Sequence, residues 1–318
     1  MPIDPIAQKM LDDAKASGRP NAHLLPVPVA RENFENTFGA LAKPDIYRVV
    51  DVEIPTRDGV GVPGRLYLPA ESTAELPLVV YYHGGGWLLG SIDSHDVATR
   101  LLANASGAAV LSVGYRRGPE SRFPTAVNDA VDAVNWAVSA DSGLGVDTGR
   151  VAVAGDSAGG NLAAAVALHV RDSIRRGDGG PRLRHQLLVY PVTTTDLDRG
   201  MDAAYDGVML ERDELRWHQD NYLADPSAAT DPLVNVLDAD LTGLPEATVI
   251  LAECDPIRPQ GELYAKALAA AGVAVESHET SGMVHGFFGL DEVFPTAGAA
   301  MTFAGERLAA ALASDADR

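Results

Sequence analysis

Gly155-Asp156-Ser157-Ala158-Gly159-Gly160 sets one serine between two glycines, directly after the apolar run RVAVAGD and before the helix-forming stretch NLAAAVALHV. In that setting a strand turns sharply into a helix. The glycines admit the turn, and the Ser157 hydroxyl stands clear of the sheet edge above a helix N-terminus. Such a hydroxyl is a nucleophile that needs a base. Gly-Ser-Gly combinations also occur in plain loops, so the flanks carry the reading. His83-Gly84-Gly85-Gly86-Trp87 follows a second apolar run, PLVVYY. Without side chains, Gly84 and Gly85 can bring backbone N–H groups onto a developing oxyanion, joined by the N–H of Ala158. A phosphate cradle would continue into GK[ST], and none follows. His83 reads as a structural histidine that fixes this loop, and Trp87 as a wall of the pocket.

Where a serine turn of this kind crowns a parallel sheet, its partners follow in the order serine, acid, histidine. Of eight histidines only His278 and His285 lie beyond the acids near position 255. His278 falls in the alternating run VAVESHET and reads as a strand residue, whereas His285 lies in the loop GMVHGFFG and is the candidate base. Asp255 closes the run EATVILAEC, where a carboxylate can orient the far nitrogen of that histidine; its competing role is a helix cap. Asp156, Glu253 and Cys254 adjoin these residues and read more simply as hydrogen-bonding support, strand end and small buried side chain. Tyr190, Trp217 and Phe287 are candidates to line an apolar acyl pocket, although aromatics in such places serve as often in the core.

The elements that must position these groups are legible in the periodicity. From about residue 45, IYRVVDVEI, Asp58-Gly59 and VGVPGRLYL spell a hairpin. Strand-like runs at 77–83, 108–115, 150–156, 185–191 and 246–252 then alternate with helical segments. This predicts an α/β fold, a mainly parallel, doubly wound sheet with helices on both faces. Val127, Val131, Val134 and Val138 mark one helical face, and Pro259 with Gly272 brackets a helix over 259–271. An amphipathic helix over 5–17 leads into a loop over 18–30. Residues 192–230 interrupt the alternation with an acidic, turn-rich stretch and one helix, LERDELRWHQDNYL, which reads as a lid insertion. The expected division is an N-terminal helical lid segment at 1–44 and one α/β domain at 45–318 that carries the lid insertion at about 192–230.

Composition narrows the partners. Of 318 residues, 25 are basic and 44 acidic, a formal charge of −19 with pI near 4.7, so nucleic acid is repelled. The single cysteine, Cys254, excludes an intramolecular disulfide and a CxxC-type metal site. No signal-peptide core and no run of 18 apolar residues occurs. The expectation is a soluble, cytoplasmic protein without stable membrane insertion; a homodimer is left open.

HGGGW, GDSAGGN, DPIR and GMVHGFF, in this order and spacing, resemble the bacterial hormone-sensitive-lipase-like esterases over nearly the whole chain, and the lid helix of that family resembles 209–223. The resemblance implies an α/β-hydrolase fold with Ser157, Asp255 and His285 as triad and Gly84, Gly85 and Ala158 as oxyanion donors. It further implies cleavage of short- to medium-chain carboxylic esters, small molecules, through an acyl-enzyme, with no metal or organic cofactor. An amidase or formamidase-like deacetylase would keep the same triad, and a non-catalytic ligand receptor would typically have lost a triad member. Two departures stand out. Tyr115-Arg116-Arg117-Gly118-Pro119-Glu120 replaces the usual YRLAPE, and Pro259 stands where a further acid is common after DPIR.

Overall fold

A strand such as Leu76–Tyr82 can be apolar along its length only if both of its faces are covered. In the computed structural model, which describes residues 2–314, they are. One sheet is built from β1 (Arg48–Pro55), β2 (Gly61–Leu68), β3 (Leu76–Tyr82), β4 (Ala109–Val113), β5 (Val146–Asp156), β6 (Leu183–Val189), β7 (Glu246–Ala252) and β8 (Val275–Thr280). Across the sheet the order is β1-β2-β4-β3-β5-β6-β7-β8. The β1/β2 and β2/β4 pairs are antiparallel and the remaining pairs parallel.

The helices are α1 (Pro5–Ser17), α2 (Val27–Phe38), α3 (Asp96–Ser106), α4 (Thr125–Ala137), α5 (Ala158–Arg176), α6 (Leu197–Gly200), α7 (Arg212–Tyr222), α8 (Arg258–Ala270) and α9 (Ala297–Ala311). The two-residue period of the strands sorts the core into two layers. Leu78, Val80 and Tyr82 of β3 and Val151 and Val153 of β5 pack with Val131 of α4, Leu162 of α5 and Leu268 of α8. Val79 and Tyr81 with Ala152 and Ala154 face the other way, onto Leu102 of α3 and Leu308 of α9. Among the described residues no helix is long and apolar enough to cross a membrane.

The structure corrects the expected loop over 18–30: a short 3-10 turn at Ala22–Leu24 is followed by α2, which already begins at Val27. The two prolines that read as loop punctuation start this helix instead. Pro26 is its N-cap and Pro28 lies in the first turn, where a missing N–H costs no intrahelical bond. Arg31 then fastens α2 to the main body, donating to the Leu88 carbonyl at 2.7 Å, to the Glu120 carboxylate and to the Gly118 carbonyl. At the 115–120 departure, Arg117 donates to the Gly90 carbonyl. Arg116 pairs with Asp129 at 2.6 Å and Asp58 at 2.7 Å, and a Cβ on Gly118 would meet the Asn221 carbonyl at 2.7 Å. The segment is scaffold.

The acidic 192–230 stretch contains α6, α7 and two 3-10 turns, and its acids explain its irregularity. Asp196, Asp202 and Asp225 each accept backbone N–H groups at the start of a short helical turn. Pro259 takes a first-turn position in α8, as its place in the sequence predicts.

The tips of β3 and β5 touch backbone to backbone. A Cβ on Gly159 would run into the Tyr82 carbonyl oxygen and lie 2.6 Å from the His83 carbonyl oxygen, and one on Gly155 would lie 2.7 Å from the Tyr82 oxygen. Neither glycine has a positive φ; close approach is what they supply. Gly159→Ala should therefore cost ~3 kcal/mol or more of folding stability, since backbone cannot move aside as a side chain can. Gly272→Ala, at a positive φ in open space, should cost only about 1 kcal/mol. Urea melts of the two variants check the difference.

Candidate active site

The positive φ at the strand–helix turn belongs to Ser157 itself, at φ 55° and ψ −118°. An L-residue there stores on the order of 1–3 kcal/mol of backbone strain. It is held by the Ser157 N–H donating to the Val189 carbonyl at 2.8 Å and the Val192 N–H donating to the Ser157 carbonyl at 3.1 Å. The side chain consequently points out of the sheet edge into a cavity of about 840 Å³.

His285, on the loop after β8, reaches the same point. Its Nε2 is 2.9 Å from Ser157 Oγ and its Nδ1 is 2.7 Å from Asp255 Oδ2. Asp255 is fully buried just beyond β7, and its other oxygen accepts the Ile257 N–H at 2.9 Å. The Cys254 N–H donates to the Met283 carbonyl at 2.8 Å and ties the acid's loop to the histidine's. The three residues singled out by motif and chain order thus form one continuous hydrogen-bonded line. Burial opposes a charge on His285, but Asp255 outweighs it and raises the imidazole above its usual pKa. His278 lies on β8, stacked against Phe303 and away from this line.

The oxyanion donors need one correction. The Gly84 N–H already donates to Asp156 Oδ1 at 2.9 Å, and Gly84 is not on the cavity wall. Gly85 and Gly86 are, both at positive φ, and their N–H groups have no partner among the described residues. The Ala158 N–H, at the N-terminus of α5 next to the serine, has none either. The donor set offered to the cavity is Gly85, Gly86 and Ala158. Gly84 instead couples the loop to a buried network: Asp156 also accepts from Tyr81 Oη at 2.7 Å and pairs with His95 at 3.4 Å. Burial works against the Asp156 charge, yet His95 and the hydrogen bonds hold its pKa below the usual value. His83 is buried and held neutral, its pKa lowered to about 3 chiefly by burial, with its Nδ1 2.9 Å from the Gly84 carbonyl. It supports the loop, as its sequence context predicts.

The cavity lies between the sheet edge and two helices, α2 with Ala30, Phe34 and Phe38, and α7 with Glu214, Leu215 and His218. Trp87 and Tyr190 line it. Trp217 and Phe287 do not. Trp217 sits one position off the inward face of α7 and packs on the first core layer, while Phe287 is fully buried beside Tyr190 at 5.7 Å in the second. The next residues, His218 and Phe288, take the wall positions. The inward α7 residues follow from helical spacing once the inward face is known, but the sequence does not say which face that is. Among the described residues no group of His, Cys, Asp or Glu is arranged to hold a metal ion.

A family model described as the alpha/beta hydrolase fold matches residues 79–289. The chain is 38% identical over 283 residues to an ethyl acetate hydrolase of Pseudomonas putida, covering 86% of this chain and 87% of that protein. It is 40% identical over 294 residues to the carboxylic ester hydrolase LipN of Mycobacterium tuberculosis, covering 91% and 77%. An esterase from the archaeon Pyrobaculum calidifontis superposes with a TM-score of 0.87 at 38% identity, covering 98% of this chain and 100% of that one. A thermostable esterase from Pseudomonas putida ECU1011 gives 0.90 at 35%, with 99% of both chains covered. Fold, family match and relatives agree: the chain belongs to the α/β-hydrolase family, in its hormone-sensitive-lipase-like branch, and is a serine ester hydrolase.

Proposed function

We propose that Ser157 is the nucleophile, His285 the base and acid, and Asp255 the group that orients and stabilises the imidazolium. The observation that carries the assignment is the line from Asp255 Oδ2 through His285 to Ser157 Oγ, at 2.7 and 2.9 Å. His285 Nε2 takes the Ser157 proton as Oγ attacks the ester carbonyl. The oxygen that gains charge meets the N–H groups of Gly85, Gly86 and Ala158 at the α5 N-terminus. The protonated His285 then gives its proton to the departing alcohol. Water, deprotonated by the same nitrogen, releases the acid and restores Ser157.

The helices α2 and α7 act as the lid of this site, with α1 and the N-terminal segment as an accessory and residues 45 onward as the catalytic body. A roofed chamber of about 840 Å³ favours acyl groups of short to medium length over long triglycerides.

Ser157→Ala should keep the fold and lose both ester turnover and covalent labelling by a fluorophosphonate; a variant that still labels moves the nucleophile elsewhere. Because only neutral His285 accepts the proton, kcat/KM should rise with pH along a limb centred above 6.5, the direction in which Asp255 shifts the imidazole. Asp255→Asn removes that charge, so the limb should move to lower pH while kcat falls by up to ~10⁴-fold. Glu253→Gln is the control, since Glu253 accepts the Gly282 N–H at 2.8 Å beside the triad without entering it. An unshifted limb in Asp255→Asn contradicts the assignment. In a chain-length series, faster hydrolysis of emulsified long-chain lipid than of a soluble butyrate would contradict the lid reading.

A further inference from the structure

Charged side chains in the lid insertion are matched almost everywhere. Glu211 meets His23 Nδ1 at 3.0 Å and the Asn21 amide at 2.7 Å; Asp213 meets Arg216 at 3.2 Å; Asp198 meets Arg212 at 2.8 Å. Glu214 differs. It lies on the inward face of α7, lines the same cavity as Ser157 and His285, and has neither hydrogen bond nor ion pair among the described residues. A carboxylate drawn away from water without a partner is costly to keep charged.

The groups around it form no ion pair with it. On its own helix stand Glu211, one turn before, and His218, one turn after. Burial, with His285 and His23 nearby, holds His218 neutral, its pKa lowered to about 3, and its ring sits so close to Gly86 that a Cβ there would overlap it. His285 faces Glu214 from the loop after β8 but is committed to Asp255. His95 is paired with Asp156, and Arg19, in the segment after α1, is exposed. It is the one Arg or Lys among the described residues of the wall. The remaining wall mixes aliphatic and polar side chains with the aromatic residues Phe34, Phe38, Trp87, Tyr190 and Phe288.

An unpartnered carboxylate in a chamber whose wall also carries several aromatic side chains suits an ammonium group, by charge and by the ring quadrupoles together. We propose that Glu214 is a specificity-determining residue and that the cavity selects esters carrying a cationic ammonium group within a few bonds of the scissile carbonyl. The selection rests on the ester-hydrolase reading and adds to it the class of substrate. It opposes anionic esters twice, once at the surface through the net charge of −19 and once inside. Burial and the neighbouring Glu211 raise the Glu214 carboxyl to about 7, with His285 acting against them. The preference for a cation should therefore strengthen as pH rises and Glu214 ionises.

The test is a ratio. Butyrylcholine and its uncharged isostere 3,3-dimethylbutyl butyrate share acyl group, leaving-group shape and catalytic histidine, so titration of His285 cancels in the quotient of their kcat/KM values. If one ionised carboxylate is worth tenfold, ~1.4 kcal/mol, the quotient should rise about fivefold from pH 6 to 8 in the wild type. In Glu214→Gln it should be flat and about tenfold lower at pH 8, whereas Asp213→Asn, on the exposed face of the same helix, should keep the wild-type curve. A second pair, with the trimethylammonium on the acyl chain and a tert-butyl counterpart, shows which side of the ester the carboxylate reads. A wild-type quotient flat with pH for both pairs, alongside normal turnover of the neutral esters, overturns the Glu214 assignment and leaves ester hydrolysis standing. So does a Glu214→Gln enzyme that loses both members of each pair equally, since that outcome makes Glu214 a support for His285. Absence of turnover on the neutral esters would instead strike the ester-hydrolase reading on which the proposal depends.

Discussion

Everything in the site hangs on a contact between two pieces of backbone. The tip of β3 and the first turn of α5 pass so close at Tyr82 and Gly159 that no side chain fits between them. That approach lets β5 end in a turn tight enough to hold Ser157 at a positive φ, and it brings the loop after β3 alongside the helix N-terminus. Ser157 and the free N–H groups of Gly85 and Gly86 come from segments about 70 residues apart, yet one packing constraint places both. Strain at Ser157 is tolerable because the core layers on either side of β5 fix the strand that carries it.

Around that point the chemistry is divided between two kinds of buried charge. Asp255 is dry and spent on one imidazole and one N–H, which fixes the histidine tautomer and its plane. Asp156 is equally dry and spent on the loop, through Gly84, Tyr81 and His95. Each is tolerated because its oxygens are satisfied, as buried carboxylates must be. The two acids thus have separate partners on either side of Ser157, one the His285 imidazole and one the Gly84 loop.

Much of this was legible in the sequence because the constraints are local. Strands of the parallel sheet are short apolar runs bounded by turn residues, and α4 and α8 carry either a valine stripe or a Pro/Gly bracket. The hydrogen-bonded line of Asp255, His285 and Ser157 follows from a turn motif and a chain order. What escaped depends on which face of an element looks inward. Gly84 and Gly86 are indistinguishable in the string HGGGW, and only the Asp156 hydrogen bond shows that the first is occupied and the last is free. Trp217 and His218, or Phe287 and Phe288, are neighbours whose roles are exchanged by a single step along the chain. The start of α2 was hidden because proline marks both loop and helix start, and the decision is made by packing against Leu88 and Glu120, far away in sequence.

The account is tested most directly by a crystal structure of the enzyme inactivated with a small alkyl phosphonate, which mimics the charged tetrahedral state. Phosphorus should be bonded to Ser157 Oγ, with its unsubstituted oxygen about 2.7–3.1 Å from the N–H groups of Gly85, Gly86 and Ala158, and the Gly84 N–H still on Asp156. A phosphonyl group on another residue, or an oxygen seated on Gly84 with the Asp156 bond broken, would contradict it.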